Sequence, residues 1–163
     1  MILDRPLLPF AIRRMENRDL PRVVEIDQNS FTLPWSLTSF QFEIRRSRIS
    51  RCWVAEVDSG GKPVVAGSTV VWVVIDEMHV GTIAVERSFR RMGIASALME
   101  VIHQQAKEEG LLKVYLEVRK SNLPAQNLYR KFGYEIVGVR KGYYADNHED
   151  ALLMEYQVEG QQA

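Results

Sequence analysis

A chain of 163 residues, 46% hydrophobic and 26% charged, is sized for one globular domain around a single core, and one domain is expected across residues 1–163. Its 21 Lys and Arg balance its 21 Asp and Glu, so no global charge calls for nucleic acid or an anionic membrane as a partner. No apolar run reaches the length of a membrane span, and the first residues lack the basic-then-apolar order of a secretory signal, so a cytoplasmic protein is expected.

Met1 to Pro9 reads as a proline-bearing extension without chemistry. Phe10 to Met15 predicts a short strand. Asn17-Arg18-Asp19-Leu20-Pro21 then opens a helix with Leu20, Val23, Val24 and Ile26 as its apolar positions, fading near Gln28. Phe31 to Trp35 is a loop, after which Ser36 or Thr38 can cap a second helix carrying Phe40, Phe42 and Ile44. Cys52 to Val57 and Val64 to Ile75 are β-rich runs, joined by a hairpin turn over Asp58 to Pro63. Glu77 to Val85 predicts the next strand. A helix follows and ends at Glu108-Glu109-Gly110, where glycine suits the position just past a helix C-terminus. Lys113 to Val118 reads as a strand, Asn122 to Phe132 as a helix stopped by Gly133, and Tyr134 to Val139 and Ala151 to Tyr156 as the last strands; the tail from Glu159 is polar. Strands followed by alternating helix and strand imply an α/β chain with a mixed central sheet and helices on both faces.

Several reactive residue types carry little signal. Cys52 is the single cysteine and sits in an apolar strand pattern, which reads as a buried structural thiol. His79 lies on the strand leading to the following loop, where it could relay a proton or simply be a satisfied strand histidine. His103 falls within an amphipathic helix and His148 in an acidic loop. There is no H-x-x-x-H or cysteine cluster, so no metal is expected. The basic run Arg45 to Arg51 reads as a solvated helix end, with docking to RNA or an acidic substrate as the alternative.

The most informative stretch is Val85 to Ala97. There a strand ending in Ile83-Ala84-Val85 passes through Arg90-Arg91-Met92-Gly93-Ile94-Ala95-Ser96 into a helix with Ile94, Leu98, Val101 and Ile102 at helical spacing. The unpaired N–H groups of that first turn, with the helix dipole behind them, suit a diphosphate. Arg90, Gly93 and Ala95 occupy the fixed places of the [QR]-x-x-G-x-[GA] signature, and the stretch resembles the cofactor loop of the GNAT N-acetyltransferases. Leu116-Glu117-Val118-Arg119, Asn122, Ala125, Leu128-Tyr129 and Lys131-Phe132-Gly133-Tyr134 look like the second half of the same core. Arg140-Lys141-Gly142-Tyr143-Tyr144, Glu149 to Met154 and Pro34-Trp35-Ser36 resemble the RimI-type branch, the N-terminal alanine acetyltransferases that modify a ribosomal protein. The resemblance runs from about Ile12 to Tyr156.

That resemblance implies acetyl-CoA as cosubstrate, its pyrophosphate at Arg90 to Ser96 and its pantetheine amides along the main chain of Ile83, Ala84 and Val85. It implies Glu117 as general base, because an α-amine with a pKa of about 7.7–8 is largely protonated at neutral pH and an ammonium cannot attack a thioester. Pairing of Glu117 with Arg119 or Lys120 at a sheet end is the alternative, since residues two apart share one side of a strand. Tyr129 stands where the family carries the tyrosine that donates to the departing sulfur; the alternative is a tyrosine anchoring its helix. Asn122 is expected to cap that helix and to contact the cosubstrate. Leu33, Pro34, Trp35, Tyr143 and Tyr144 match positions lining the acceptor entrance, where Trp35 and one tyrosine could instead be structural. The implied activity is transfer of acetyl to the N-terminal α-amine of a protein such as a ribosomal protein, by direct attack in a ternary complex, with a monomer or weak homodimer expected. A small-amine acetyltransferase and a non-catalytic CoA-binding module are the alternatives.

Overall fold

The computed structural model describes residues 10–161. The extension read from Met1 to Pro9 lies outside them. Seven strands, β1 (Phe10–Arg14), β2 (Ser50–Ser59), β3 (Lys62–Val74), β4 (Glu77–Val85), β5 (Lys113–Arg119), β6 (Glu135–Arg140) and β7 (Ala151–Gln157), form one sheet in the order β1-β2-β3-β4-β5-β7-β6. Every neighbouring pair is antiparallel except β4 and β5. The helices are α1 (Leu20–Ser30), α2 (Leu37–Arg45), α3 (Ile94–Glu108) and α4 (Leu123–Lys131).

The period of two along each strand divides the interior into two cores. In β2, Trp53, Ala55 and Val57 belong to one cluster, while Cys52 and Val54 belong to the other. The first cluster takes Ile94, Leu98 and Ile102 from α3 and Tyr129 from α4; the second takes Leu20, Val23 and Ile26 from α1 and Phe40 from α2. Helices therefore cover both faces, as the alternation of elements predicts. The cover is uneven. The main contacts of α1 and α2 with the sheet fall on β2, β3 and β4, while over β5 the same face meets Tyr143 and Tyr144 from the segment between β6 and β7.

Most elements start and stop within two residues of the sequence expectation. Two of the small differences have local causes. α1 continues to Ser30, whose hydroxyl donates to the Ile26 carbonyl at 2.7 Å and satisfies the last turn. β3 ends at Val74 because Ile75 takes a left-handed φ of 57° in the tight turn to β4, a costly conformation for a β-branched residue. Cys52 is buried, and burial beside the Glu43 carboxylate pushes its thiol up to about 12, so it packs as an inert thiol.

His103 of α3 is likewise tied into an aromatic cluster. Its ring stacks on Tyr156 at a centroid distance of 3.9 Å, and its Nε2 lies 2.8 Å from the hydroxyl of buried Tyr134. Burial pushes the imidazole down to about 4. An unfolded histidine titrates near about 6.5, so on acidification the unfolded chain takes this proton first. The contribution of His103 to stability is complete above about pH 6.5 and is lost as pH falls toward about 4. Urea denaturation across that window should show a steeper loss for the wild type than for His103→Gln, which has no titrating ring. Parallel profiles would contradict the burial of a neutral imidazole.

Candidate active site

β4 and β5 pair in parallel only at Glu77↔Lys113, Met78↔Val114 and His79↔Tyr115. Beyond His79 no further β4–β5 pair follows among the described residues. The divergence begins at a β-bulge. Val71 pairs with Val80 and Val70 with Thr82, so Gly81 is an extra residue in β4 and bends the strand away. A glycine is required there by close approach: a Cβ would lie 2.8 Å from Cη2 of Trp72 and 3.1 Å from Cη2 of Trp35. Past the bulge, Ile83, Ala84 and Val85 pair with β3 on one side and leave their other main-chain edge facing the fork.

The loop from Val85 to Ser96 brings α3 to the mouth of this fork. Arg90 donates from Nε to the Val85 carbonyl at 3.0 Å, tying loop to strand end. Arg91 adopts a left-handed φ of 64° and Gly93 one of 88°. Among the described residues nothing lies within 4 Å of a Cβ built on Gly93, so its backbone admits close approach. α2 and α4 are capped by side chains, Ser36 accepting from the Ser39 N–H and Asn122 from the Ala125 N–H. α3 has no side-chain cap and no acidic residue in its first turn. Its leading N–H groups, on Ile94, Ala95 and Ser96, are thus left for an external acceptor, and Met92 flanks them half-buried. The residues present fit a diphosphate.

Glu117 lies on β5 where alternation decides its direction. Val114, Leu116 and Val118 point into the α3 core, so Tyr115, Glu117 and Arg119 point to the opposite face. There an open cleft of about 440 Å³ lies between Trp72, His79 and Val80 on one side and Tyr115, Glu117 and Tyr143 on the other. Arg140 donates from Nε to Oε1 of Glu117 at 3.0 Å, and the Tyr143 hydroxyl donates to Oε2 at 3.3 Å. The pairing of Glu117 with Arg119 or Lys120 is not what forms. Arg119 turns instead to Asp146 and Glu149, and its guanidinium lies 3.8 Å over the ring of Tyr144. His79 pairs with Glu77 at 3.1 Å and stacks on Tyr115, as a satisfied strand histidine does.

Tyr129 sits on the other face of the sheet, 7% exposed, on α4. Burial, helped by the neighbouring charge of Tyr144, pushes its phenol up to about 12, so it stays a proton donor at neutral pH. Asn122 caps α4, which is the structural half of its expected role. Gln126 of α4 is buried and donates from Nε2 to the carbonyls of Arg119 and Lys120 at 3.1 and 2.9 Å, fixing the end of β5.

The residues expected to receive the acceptor divide into packed and exposed ones. Trp35 stacks on Trp72 at 5.6 Å, tilts against Phe40 at 5.2 Å and packs on the α1–α2 core. Leu33, Pro34 and Tyr143 are exposed, and Tyr144 is partly covered by Arg119. Beneath Trp35 lies Asp27, fully buried and absent from the sequence reading. Its Oδ2 accepts from the Trp35 N–H at 2.6 Å and its Oδ1 from Thr82 at 3.2 Å; desolvation raises its pKa. Asp27 thereby joins the front loop to the bulged strand. A signal existed, because positions 20, 23 and 27 share one helical stripe and a polar residue on it is out of place. In the sequence Arg140 stands out only as part of a motif; its contact with Glu117 depends on the register of β6 on β7, which no local pattern carries.

A forked sheet with an uncapped helix at its mouth and a carboxylate on its rim can hold an extended, diphosphate-bearing cosubstrate beside a general base. The model of the acetyltransferase (GNAT) family matches residues 15–134, and the chain belongs to that family. It is 38% identical over 144 residues, 88% of this chain and 93% of the other, to a Bacillus subtilis protein provisionally named for alanine N-acetylation of ribosomal protein bS18. It is 35% identical to an N-alpha-acetyltransferase of Sulfurisphaera tokodaii, over 89% of this chain and 91% of that one. The crystal structure of the Escherichia coli ribosomal-protein alanine N-acetyltransferase superposes with a TM-score of 0.82 at 29% identity, covering 95% of this chain and 96% of that one.

The bulge yields a direct test. Gly81→Ala should destabilise the fold by about 1–3 kcal/mol, because the added methyl presses on two packed indole rings. Urea denaturation reads this loss, and an unchanged midpoint would show that the indoles yield freely.

Proposed function

We propose that the chain transfers the acetyl group of acetyl-CoA to the α-amine of a protein N-terminus, alanine foremost, and that the acceptor is a ribosomal protein in the cytoplasm. The observation that carries this reading is the placing of Glu117 and Tyr129 on opposite faces of a sheet that forks between β4 and β5. The names of the Bacillus subtilis and Escherichia coli relatives support the choice of acceptor.

The pyrophosphate of the cosubstrate rests on the free N–H groups of Ile94, Ala95 and Ser96, with Arg90, Arg91 and Met92 around it and Gly93 admitting it closely. Its pantetheine amides take the place of the missing strand partner along Ile83, Ala84 and Val85, with Asn122 beside them, and a main-chain N–H polarises the acetyl carbonyl. The acceptor terminus enters by the cleft, past Leu33, Pro34 and Trp35 on one wall and Tyr143 and Tyr144 on the other. The Tyr143 hydroxyl, at 3.3 Å the longer of the two contacts of Glu117, gives way to the acceptor ammonium. Glu117 takes a proton from that ammonium, and the freed nitrogen attacks the acetyl carbon. A C–N bond forms, the C–S bond breaks, and the sulfur receives the Tyr129 proton. The nitrogen sheds its second proton to become an amide, and exchange with solvent takes up that proton and the one on Glu117 and returns one to the Tyr129 phenolate. Burial keeps that phenol protonated until the thiolate develops.

Mass-spectrometric assay of acetylation across free N-terminal peptides and small amines tests the acceptor class. Peptides beginning with Ala are expected to react fastest, and turnover confined to small amines would refute the assignment. Glu117→Gln should leave acetyl-CoA affinity intact and lower the rate at pH 7 by about two to four orders of magnitude, activity returning only where the amine is already neutral. Tyr129→Phe should lower kcat far more than it changes KM for acetyl-CoA, read in single turnover, where chemistry limits.

A further inference from the structure

Arg119 closes β5 two residues beyond Glu117, and its side chain gathers three separate segments of the chain. Nη2 donates to both oxygens of Asp146 at 3.0 and 2.9 Å and to the Thr32 hydroxyl oxygen at 3.2 Å. Nη1 donates to Glu149 Oε1 and Asn147 Oδ1, each at 3.2 Å. The guanidinium plane covers the ring of Tyr144 at 3.8 Å. The Thr32 hydroxyl itself donates to Asp146 at 2.6 Å. Thr32 belongs to the loop between α1 and α2 that carries Leu33, Pro34 and Trp35, while Asp146 and Glu149 belong to the loop between β6 and β7 that carries Tyr143 and Tyr144.

We propose that Arg119 is the positioning residue of the acceptor cleft, a clamp that joins its two walls to each other and to the end of β5. The proposal rests on the acceptor reading given above. A lone surface ion pair contributes little, but a planar fork held by two carboxylates, an amide, a hydroxyl and an aromatic face is a network with one geometry. The side chain is only 23% exposed and the backbone beneath it is pinned by Gln126. Without the guanidinium, Asp146 and Glu149 would face each other as like charges, and the loop carrying Tyr143 would lose its register over Glu117. The same contacts turn the Arg119 charge away from Glu117, although both residues point to one face of β5.

The test compares Arg119→Lys, which keeps the charge and loses the fork, with Arg119→Gln, which loses both, and with Thr32→Val, which cuts only the link between the walls. With an alanine-initiated peptide, KM for the acceptor should rise about tenfold in Arg119→Lys, more in Arg119→Gln and about threefold in Thr32→Val, while KM for acetyl-CoA moves less than twofold. Hydrogen exchange read without turnover should quicken in residues 31–36 and 141–150 together in Arg119→Lys and Thr32→Val, and nowhere in α3. Unchanged acceptor KM and unchanged exchange in folded Thr32→Val and Arg119→Lys would overturn the clamp, as would equal rises in both KM values, the mark of general destabilisation. A wild type that acetylates no peptide would sink the acceptor reading alone, since the exchange measurement still decides the clamp.

Discussion

The structure depends on the early end of the parallel pairing between β4 and β5. Parallel strands buried between helices usually pair along their length, and here pairing stops after His79 and Tyr115. Two consequences follow from that one break. The main-chain edge of Ile83 to Val85 is left without a strand, so an extended ligand with amides can supply the missing hydrogen bonds. The fork also opens toward the N-terminus of α3, so a ligand lying along β4 meets unpaired N–H groups at its anionic end. The bulge at Gly81 starts the divergence, and the indoles of Trp35 and Trp72 fill the space that a side chain there would occupy.

Once the sheet is split, its alternation decides which residues can meet. β5 sends Val114, Leu116 and Val118 into the core with α3 and α4, and this forces Glu117 to the face that α1 and α2 leave uncovered. Tyr129 is held in that first core, on the other side of the sheet. A carboxylate and a protonated phenol are thereby kept apart by the sheet. The proposed transfer would use that separation, with the base facing the incoming amine and the acid the leaving sulfur.

The order of elements, the strand-to-helix loop and the special place of Gly93 are legible in the sequence because each is encoded locally, by periodicity and by turn residues. Tyr129 and Glu117 could be singled out from motif positions. What could not be read is what these residues touch. Arg119 stands two residues from Glu117 and local spacing offers it as the partner, yet Asp146 and Glu149, brought over by the return from β6 to β7, outcompete a single carboxylate. The partner of Glu117 comes from Arg140, two strands away in the sheet, and only the register of β6 and β5 on β7 determines it. Trp35 reads as an acceptor contact from its motif, but stacking on Trp72 and packing over α2 give it a share in the core that no pattern in Leu33-Pro34-Trp35 reveals.

The two arginines at the cleft differ in how firmly they are held, and this difference selects the carboxylate that is available for chemistry. Arg119 is 23% exposed and engaged by five polar partner atoms and one ring, and Asp146 and Glu149 are held below the usual carboxylate range, Asp146 by the Thr32 hydroxyl and then Arg119, Glu149 by Ser121 and then Arg119. Arg140 is 52% exposed and gives Glu117 a single ion pair, whose strength in solvent is modest. Tyr143 adds only a long hydrogen bond. A cation arriving through the cleft therefore finds two carboxylates whose partners cannot leave and one whose partners can. An α-ammonium would offer Glu117 three donors on a compact charge, enough to replace both, and under the proposed function the proton it delivers is the one that Glu117 takes.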